Sequence, residues 1–223
     1  AYGSARENAL QRELEKTLDS EIRHARRWRQ PEGRQLLGKA LLSKAAVLIR
    51  SAPQRTGEIR RLLAQAEKTV CAARPESGKR LFEIAMVRAW YCTKAAPDAE
   101  AAQTWMDRAR ALAPGAVPAP LDRIDELLVP CADILREWGR PAQSDALLQE
   151  GMQLCDAFPE VLPFVRKRRQ LLCCRFDVWY EAGEPARCRE MLQELDRTAA
   201  LCAEPDIPPA VRAKVLQHSP EQI

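Results

Sequence analysis

Two histidines, one asparagine and nine glycines occur in 223 residues. The shortage of histidine removes much catalytic and metal chemistry at once. His24 and His218 lie near opposite ends, so a Ser/His or Cys/His pair would have to join the termini. There is no C-x-x-C pair either, which leaves no zinc site with the usual spacing. No G-x-S-x-G elbow, phosphate-binding glycine loop, G-x-G-x-x-G turn or H-E-x-x-H helix occurs. These absences predict a chain that is not an enzyme and holds no metal or cofactor. No apolar run approaches the roughly 18 residues of a membrane span, which predicts a soluble chain with no membrane partner. No Met precedes Ala1 and no apolar leader follows it, which predicts a cut or processed start with sequence missing on the N-terminal side.

Strand signals are missing as well. Alternating Val/Ile/Thr/Tyr runs bounded by Asn-Gly or Asp-Gly are absent, while Ala, Leu, Arg, Glu and Gln, the helix formers, are abundant. A hydrophobic content of 46% excludes a disordered chain and suffices for a core. The predicted fold class is all-α.

Eight cysteines are present, at positions 71, 92, 131, 155, 173, 174, 188 and 202. They fall beside Ala and Leu within amphipathic stretches, which predicts reduced, buried thiols in a cytoplasm rather than a disulfide framework. Cys173 and Cys174 are neighbours, and neighbours on a helix point about 100° apart, so packing is the stronger reading than a redox pair.

The net charge is only +4, from 35 Lys and Arg against 31 Asp and Glu. Its distribution is uneven, with 11 basic and 6 acidic residues in the first fifty. A basic patch comprises Arg23, Arg26, Arg27 and Arg29, with Trp28 inside it, and a second cluster runs over Arg166-Lys167-Arg168-Arg169. Such runs suit phosphate or carboxylate contacts, although a solvated helix face is the commoner meaning. Nucleic acid is accordingly expected only weakly or through a missing domain. The carboxylates Asp122, Asp125 and Glu126 fit a helix N-terminus better than an acid/base pair.

An internal repeat organises the chain. Four helical runs close on a small residue followed by proline: Ala52-Pro53, Ala96-Pro97, Gly139-Arg140-Pro141 and Gly183-Glu184-Pro185. The small residues follow one another at steps of 44, 43 and 44. A small residue permits the tight turn, and a proline shortly after it suits the first turn of the next helix. First helices are predicted at about 33–51, 77–95, 121–138 and 160–182, with separators at 74–77, 113–120 and 158–159. Second helices show one apolar face each: Ile59, Leu62, Leu63, Ala66 and Val70; Ala102, Trp105, Met106, Ala109 and Leu112; Leu147, Leu148, Gly151, Met152 and Cys155; Cys188, Leu192, Leu195, Ala199 and Cys202. Residues 4–29 read as a long first helix and 209–218 as a short last one.

The turn glycines Gly139 and Gly183, the aromatics before the turns (Trp90-Tyr91, Trp138, Trp179-Tyr180) and the run Ala109-Arg110-Ala111-Leu112-Ala113-Pro114-Gly115 resemble the tetratricopeptide repeat (TPR) superfamily. The step of about 44 exceeds the family's usual step of about 34. The resemblance implies a right-handed α-α superhelix of about four TPR-like hairpins with capping helices at both ends. On that plan 1–31 is an N-terminal cap, 32–204 holds helix pairs at about 32–74, 75–114, 118–157 and 159–204, and 205–223 is a C-terminal helix and tail. It also implies a concave groove, lined by first helices, that binds a protein or peptide. The family's Lys/Asn carboxylate clamp and Asn ladder cannot be built, since Asn8 is the only asparagine. The groove residues are instead Arg88, Trp90, Lys94, Arg123, Arg136, Arg166, Arg169 and Arg175, which suit an acidic partner segment. A protein-interaction scaffold is the first expectation, and a homo-oligomer is compatible with it. The alternative is the sensor or oligomerisation half of a bacterial transcription regulator whose DNA-binding domain lies N-terminal to Ala1.

Ellman's reagent tests the thiol assignment. Few of the cysteines should react before denaturation, and rapid labelling of most would overturn it.

Overall fold

A computed structural model describes residues 2–28, 30–72, 78–198, 211 and 213, with side chains from residue 9 onward. Among the described residues every regular element is helical, so the all-α expectation is met. All of the predicted last helix except residues 211 and 213 lies outside the described residues, as do Cys202 and Arg29 of the basic patch. No helix among the described residues is long and apolar enough to cross a membrane.

The chain divides into two compact units, Ala1–Pro118 and Ala119–Ile223. The division falls inside the predicted 113–120 separator. The first unit contains α1 (Tyr2–Ala25), α2 (Pro31–Ser51), α3 (Thr56–Cys71), α4 (Gly78–Lys94) and α5 (Ala99–Ala116). Within it α1 packs on α2, α2 on α3 and α4 on α5, while α4 also touches α2 and α3. The second unit contains α6 (Pro120–Arg123), a π-helical turn (Ile124–Leu128), α7 (Val129–Glu137), α8 (Pro141–Asp156), α9 (Leu162–Glu181) and α10 (Pro185–Thr198). Here α7 packs on α8, α8 on α9 and α9 on α10.

The centres of the predicted apolar faces are what packs, while Leu62, Trp105 and Leu112 at their edges are half-buried and Ala199 and Cys202 lie outside the described residues. Ile59, Leu63 and Ala66 of α3 are fully buried, as are Ala102 and Ala109 of α5 and Cys188 of α10. Small residues let the axes approach closely. A Cβ placed on Gly38 of α2 would come 2.7 Å from Val70 Cγ2 of α3, so a side chain there would displace Val70. Gly151 of α8 is a milder case in the second unit, where a Cβ would meet Leu171 Cδ1 of α9 at 3.1 Å.

The turns are of two kinds. Gly139 and Gly183 have φ of 63° and 75°, the left-handed region that favours glycine. Each is followed by a 6→1 bond that returns to the preceding helix, Arg140 N–H to Leu135 O at 2.9 Å and Glu184 N–H to Trp179 O at 2.9 Å. This is the Schellman closure. Pro141 and Pro185 then open α8 and α10, as expected. The alanine turns differ from one another: at Ala96 the N–H reaches back five residues to Tyr91 O at 3.0 Å, whereas Ala52 closes on the fourth residue back. Ala52 caps α2 in an extended φ of −146°, and its N–H bonds Leu48 O at 2.8 Å. Pro53 and Pro97 are therefore turn residues and not helix openers. Asp98 opens α5 instead, its carboxylate accepting the Ala101 N–H at 3.0 Å.

Two further departures come from proline. Pro114, expected in a separator, lies inside α5, which runs on to Ala116. So near a helix end the missing N–H removes one bond only. In the second unit the predicted helix 121–138 is interrupted by the π turn. Pro130, at the start of α7, has no N–H to donate and its ring would crowd the carbonyl four residues back. The wider turn just before it, in which Val129 N–H reaches back to Ile124 O, relieves that crowding while Ile124, Leu127 and Leu128 stay buried.

The thiols follow their helix faces. Cys92, Cys131, Cys155 and Cys188 are buried, Cys173 and Cys174 are half-buried, and Cys71 is exposed. Cys71 departs from the expectation because it is one residue past buried Val70 and so points away from the seam. Burial pushes the Cys92, Cys174 and Cys188 thiols up and takes Cys155 to about 11. Cys71 is thus the first site for Ellman's reagent.

The turn geometry yields a mutational test. An added Cβ at Gly183 would have open space around it, so the cost of a side chain there is conformational. Gly183→Val should lower stability by about 1–2 kcal/mol, and Gly183→Asn should recover most of that loss, read from chemical melts.

Candidate functional site

The eight predicted groove residues do lie on first helices of their pairs, but they occur in two sets. Arg88, Trp90 and Lys94 belong to α4 of the first unit. Arg123, Arg136, Arg166, Arg169 and Arg175 belong to α6, α7 and α9 of the second.

On α4, Arg88 is tied down. Its Nη2 donates to Glu67 Oε2 of α3 at 2.6 Å, and its guanidinium lies 4.7 Å from the Trp105 ring centre of α5. Arg108 lies over the same ring at 5.0 Å and reaches the other oxygen of Glu67 at 3.3 Å. One ring and one carboxylate thus hold two arginines from neighbouring helices. Lys94 Nζ sits 5.8 Å from the Trp90 ring centre near the exposed end of α4.

The second set is mostly committed to the fold. Arg175 is buried, and its guanidinium grips Asp145 of α8 in a fork, Nε to Oδ1 at 2.6 Å and Nη2 to Oδ2 at 3.1 Å. Arg169 is buried too and donates to Leu195 O of α10 at 3.0 Å. Neither is a groove side chain: each points into the helix seam, where a charge persists only if paired. Arg123 bonds Glu150 at 3.1 Å, and Arg136 lies between Asp133 and Glu181 at 3.3 and 3.6 Å. Arg166 is exposed. Of the acidic residues read as helix-capping, Asp125 instead holds Lys167 of α9 at 2.6 Å.

The basic patch lies at the end of α1. Arg23 is in its last turn, while Arg26 and Arg27 fall just beyond it, and all three are exposed. Trp28 is 50% exposed, its ring 5.7 Å from that of His24. Arg23 and Arg26 border a cleft of about 460 Å³ whose wall also includes Lys16 of α1 and Lys44 of α2. Lys44 is a buried cation on the apolar stripe of α2. It is held by Asp19 at 2.6 Å and Glu58 at 3.5 Å. Glu58 also pairs with Arg55, which reaches back to Glu15 of α1 at 2.9 Å, and these two carboxylates raise the Arg55 pKa.

Sequence reasoning missed Lys44 and Asp145. Both were readable as charges at stripe spacing: Lys44 stands between Leu41 and Leu48, and Asp145 stands three and seven residues before Leu148 and Met152. Among the described residues no cluster of three or more His, Cys, Asp or Glu could hold a metal ion. The cleft is lined by the cations Lys16, Arg23, Arg26 and Lys44 together with Ile22, Leu41 and Leu62, an arrangement suited to binding. Comparison of the chain with protein-family models, characterised proteins and solved structures gives no match.

The buried fork generates a two-sided test. Asp145→Ala should cost about 3–5 kcal/mol in urea unfolding, because it strands a buried guanidinium. Replacing the pair by Asp145→Leu with Arg175→Met should return most of that stability; a double variant as weak as the single one would contradict the assignment.

Proposed function

We propose that the chain is a non-catalytic scaffold that binds a partner protein or peptide, built as a right-handed TPR-like superhelix. The observation that carries this reading is the succession of adjacent pairs α2/α3, α4/α5, α7/α8 and α9/α10, closing at steps of 44, 43 and 44 residues. Helix pairs stacked in this manner bury one face against their neighbours and leave the other for ligands. The reading is supported by the exposed cations Arg23, Arg26, Arg27 and Arg166 and the exposed aromatics Trp28 and Phe158. Exposed Arg166 on α9 is compatible with an acidic partner.

The immobilised chain should retain a discrete protein from its own cell extract, and the purified pair should saturate at a fixed ratio in titration calorimetry. Failure to find any saturable protein partner would overturn the scaffold reading.

A further inference from the structure

Among the described residues of the second unit, the large apolar side chains left open to water gather at one place, the turn from α8 into α9. Phe158, Val161 and Leu162 are 41%, 44% and 50% exposed. Phe158 stacks on half-buried Phe164, with 4.4 Å between the ring centres. The backbone holds this ledge in shape: Phe158 N–H donates to Cys155 O at 2.9 Å, Val161 N–H to Phe158 O at 3.2 Å and Phe164 N–H to Val161 O at 2.8 Å. Neighbouring apolar side chains presented on a fixed backbone mark an interaction surface.

The exposure comes from a difference in helix length. α9 has 20 residues and α10 has 14. The two meet through the short turn at Gly183, so about 9 Å of α9 at its N-terminal end runs past the end of α10. Arg168 Nη2 holds Glu194 Oε1 at 2.6 Å, and Arg169 Nη1 donates to Leu195 O at 3.0 Å. These contacts set the last turn of α10 beside the second turn of α9. The chain therefore leaves Thr198 next to the open ledge.

From this we infer that the ledge of Phe158, Val161 and Leu162 is the seat of the chain's own C-terminal segment, residues 205–218, whose helix lays Val211 and Val215 on it with Ile207 just ahead. These three residues recur at a spacing of four, one apolar stripe, and Pro209 suits the first position of the helix. Val211 is helical and half-buried while helical Ala213 is exposed, so this helix has one covered side. Residues 199–206 span up to about 26 Å when extended, more than the overhang requires. The charges match as well. Glu204 and Asp206 precede the stripe and suit exposed Arg166, and Arg212 and Lys214 suit exposed Glu160. A tethered segment acts at an effective concentration of about millimolar, so a small ledge is enough to seat it. A second copy would need about 800 Å² on each partner, far more than three side chains offer. The inference holds whether or not a partner exists; a partner using this end of the unit would compete with the tail.

The test is hydrogen exchange of the full chain, read by mass spectrometry. The amides of 210–218 should exchange about tenfold or more slowly than in the same peptide free in solution, and the protection should survive about hundredfold dilution of the chain. Phe158→Ser with Leu162→Ser, both on exposed positions, should bring these amides to the free-peptide rate and leave α10 unchanged. Val211→Ser with Val215→Ser should raise binding of the apolar dye ANS, and adding the two ledge substitutions should abolish that rise. Exchange at the free rate in the unaltered chain, protection indifferent to the ledge variant, or protection lost on dilution, which would mean a second copy, would each overturn the inference. If the ledge variant also loosens α10, a photo-cross-link from Phe158→p-benzoylphenylalanine decides: attachment within 205–218 of the same chain supports the seat, and attachment elsewhere or none refutes it.

Discussion

Close approach of helix axes is the constraint on which the rest of the structure depends. Two seams are tight at a glycine: an added Cβ would meet Val70 at 2.7 Å from Gly38 in the first unit and Leu171 at 3.1 Å from Gly151 in the second. Alanines extend these seams: Ala45, Ala66, Ala85, Ala89, Ala102 and Ala109 are all fully buried. With small residues at the contact line, the large ones beside it interdigitate, and Leu48, Leu63, Phe82 and Phe176 lose nearly all contact with water. Burial of that kind stabilises by about 25 cal/mol for each Å² of apolar surface. An enlarged residue in the seam would forfeit it along the whole helix pair.

The buried charges are held by the same helix contacts. Arg175 with Asp145, and Lys44 with Asp19 and Glu58, sit on stripes that are otherwise apolar. Each cation is met by carboxylate from another helix, Arg175 inside the α8–α9 contact and Lys44 at the wall of the cleft. The pairs fix rotation and register between helices that alanine contacts alone would leave free to slide. Ser144 does the same on a smaller scale, donating to the Ala132 carbonyl across the α7–α8 contact at 2.8 Å.

Much of this was legible in the sequence, for physical reasons that differ by element. Gly139 and Gly183 announce their turns because left-handed backbone nearly demands glycine, and both indeed have positive φ. Helix limits followed from the apolar stripe, which is local information. The π turn was not legible, because Pro130 reads as an ordinary interruption until the position of the carbonyl it would strike is known. Arg169 and Arg175 read as groove residues because an arginine's charge suggests a surface, yet their neighbours Leu171, Leu172 and Phe176 place them on the buried stripe. The cleft was illegible for a different reason. It brings Lys16 and Arg26 together with Leu41, Lys44 and Leu62, and that meeting depends on how α1 lies on α2, which no local pattern encodes.

Trp105 carries a consequence of its own. Its indole lies beneath two guanidiniums, from α4 and α5, and both are tethered to a single glutamate of α3. A cation held against an indole face perturbs its excited state, and here the cations stay in place only while three helices keep their mutual positions. The ring is thus a built-in optical gauge of the first unit's packing, one whose emission changes when α3, α4 and α5 part, before the chain need lose any helix.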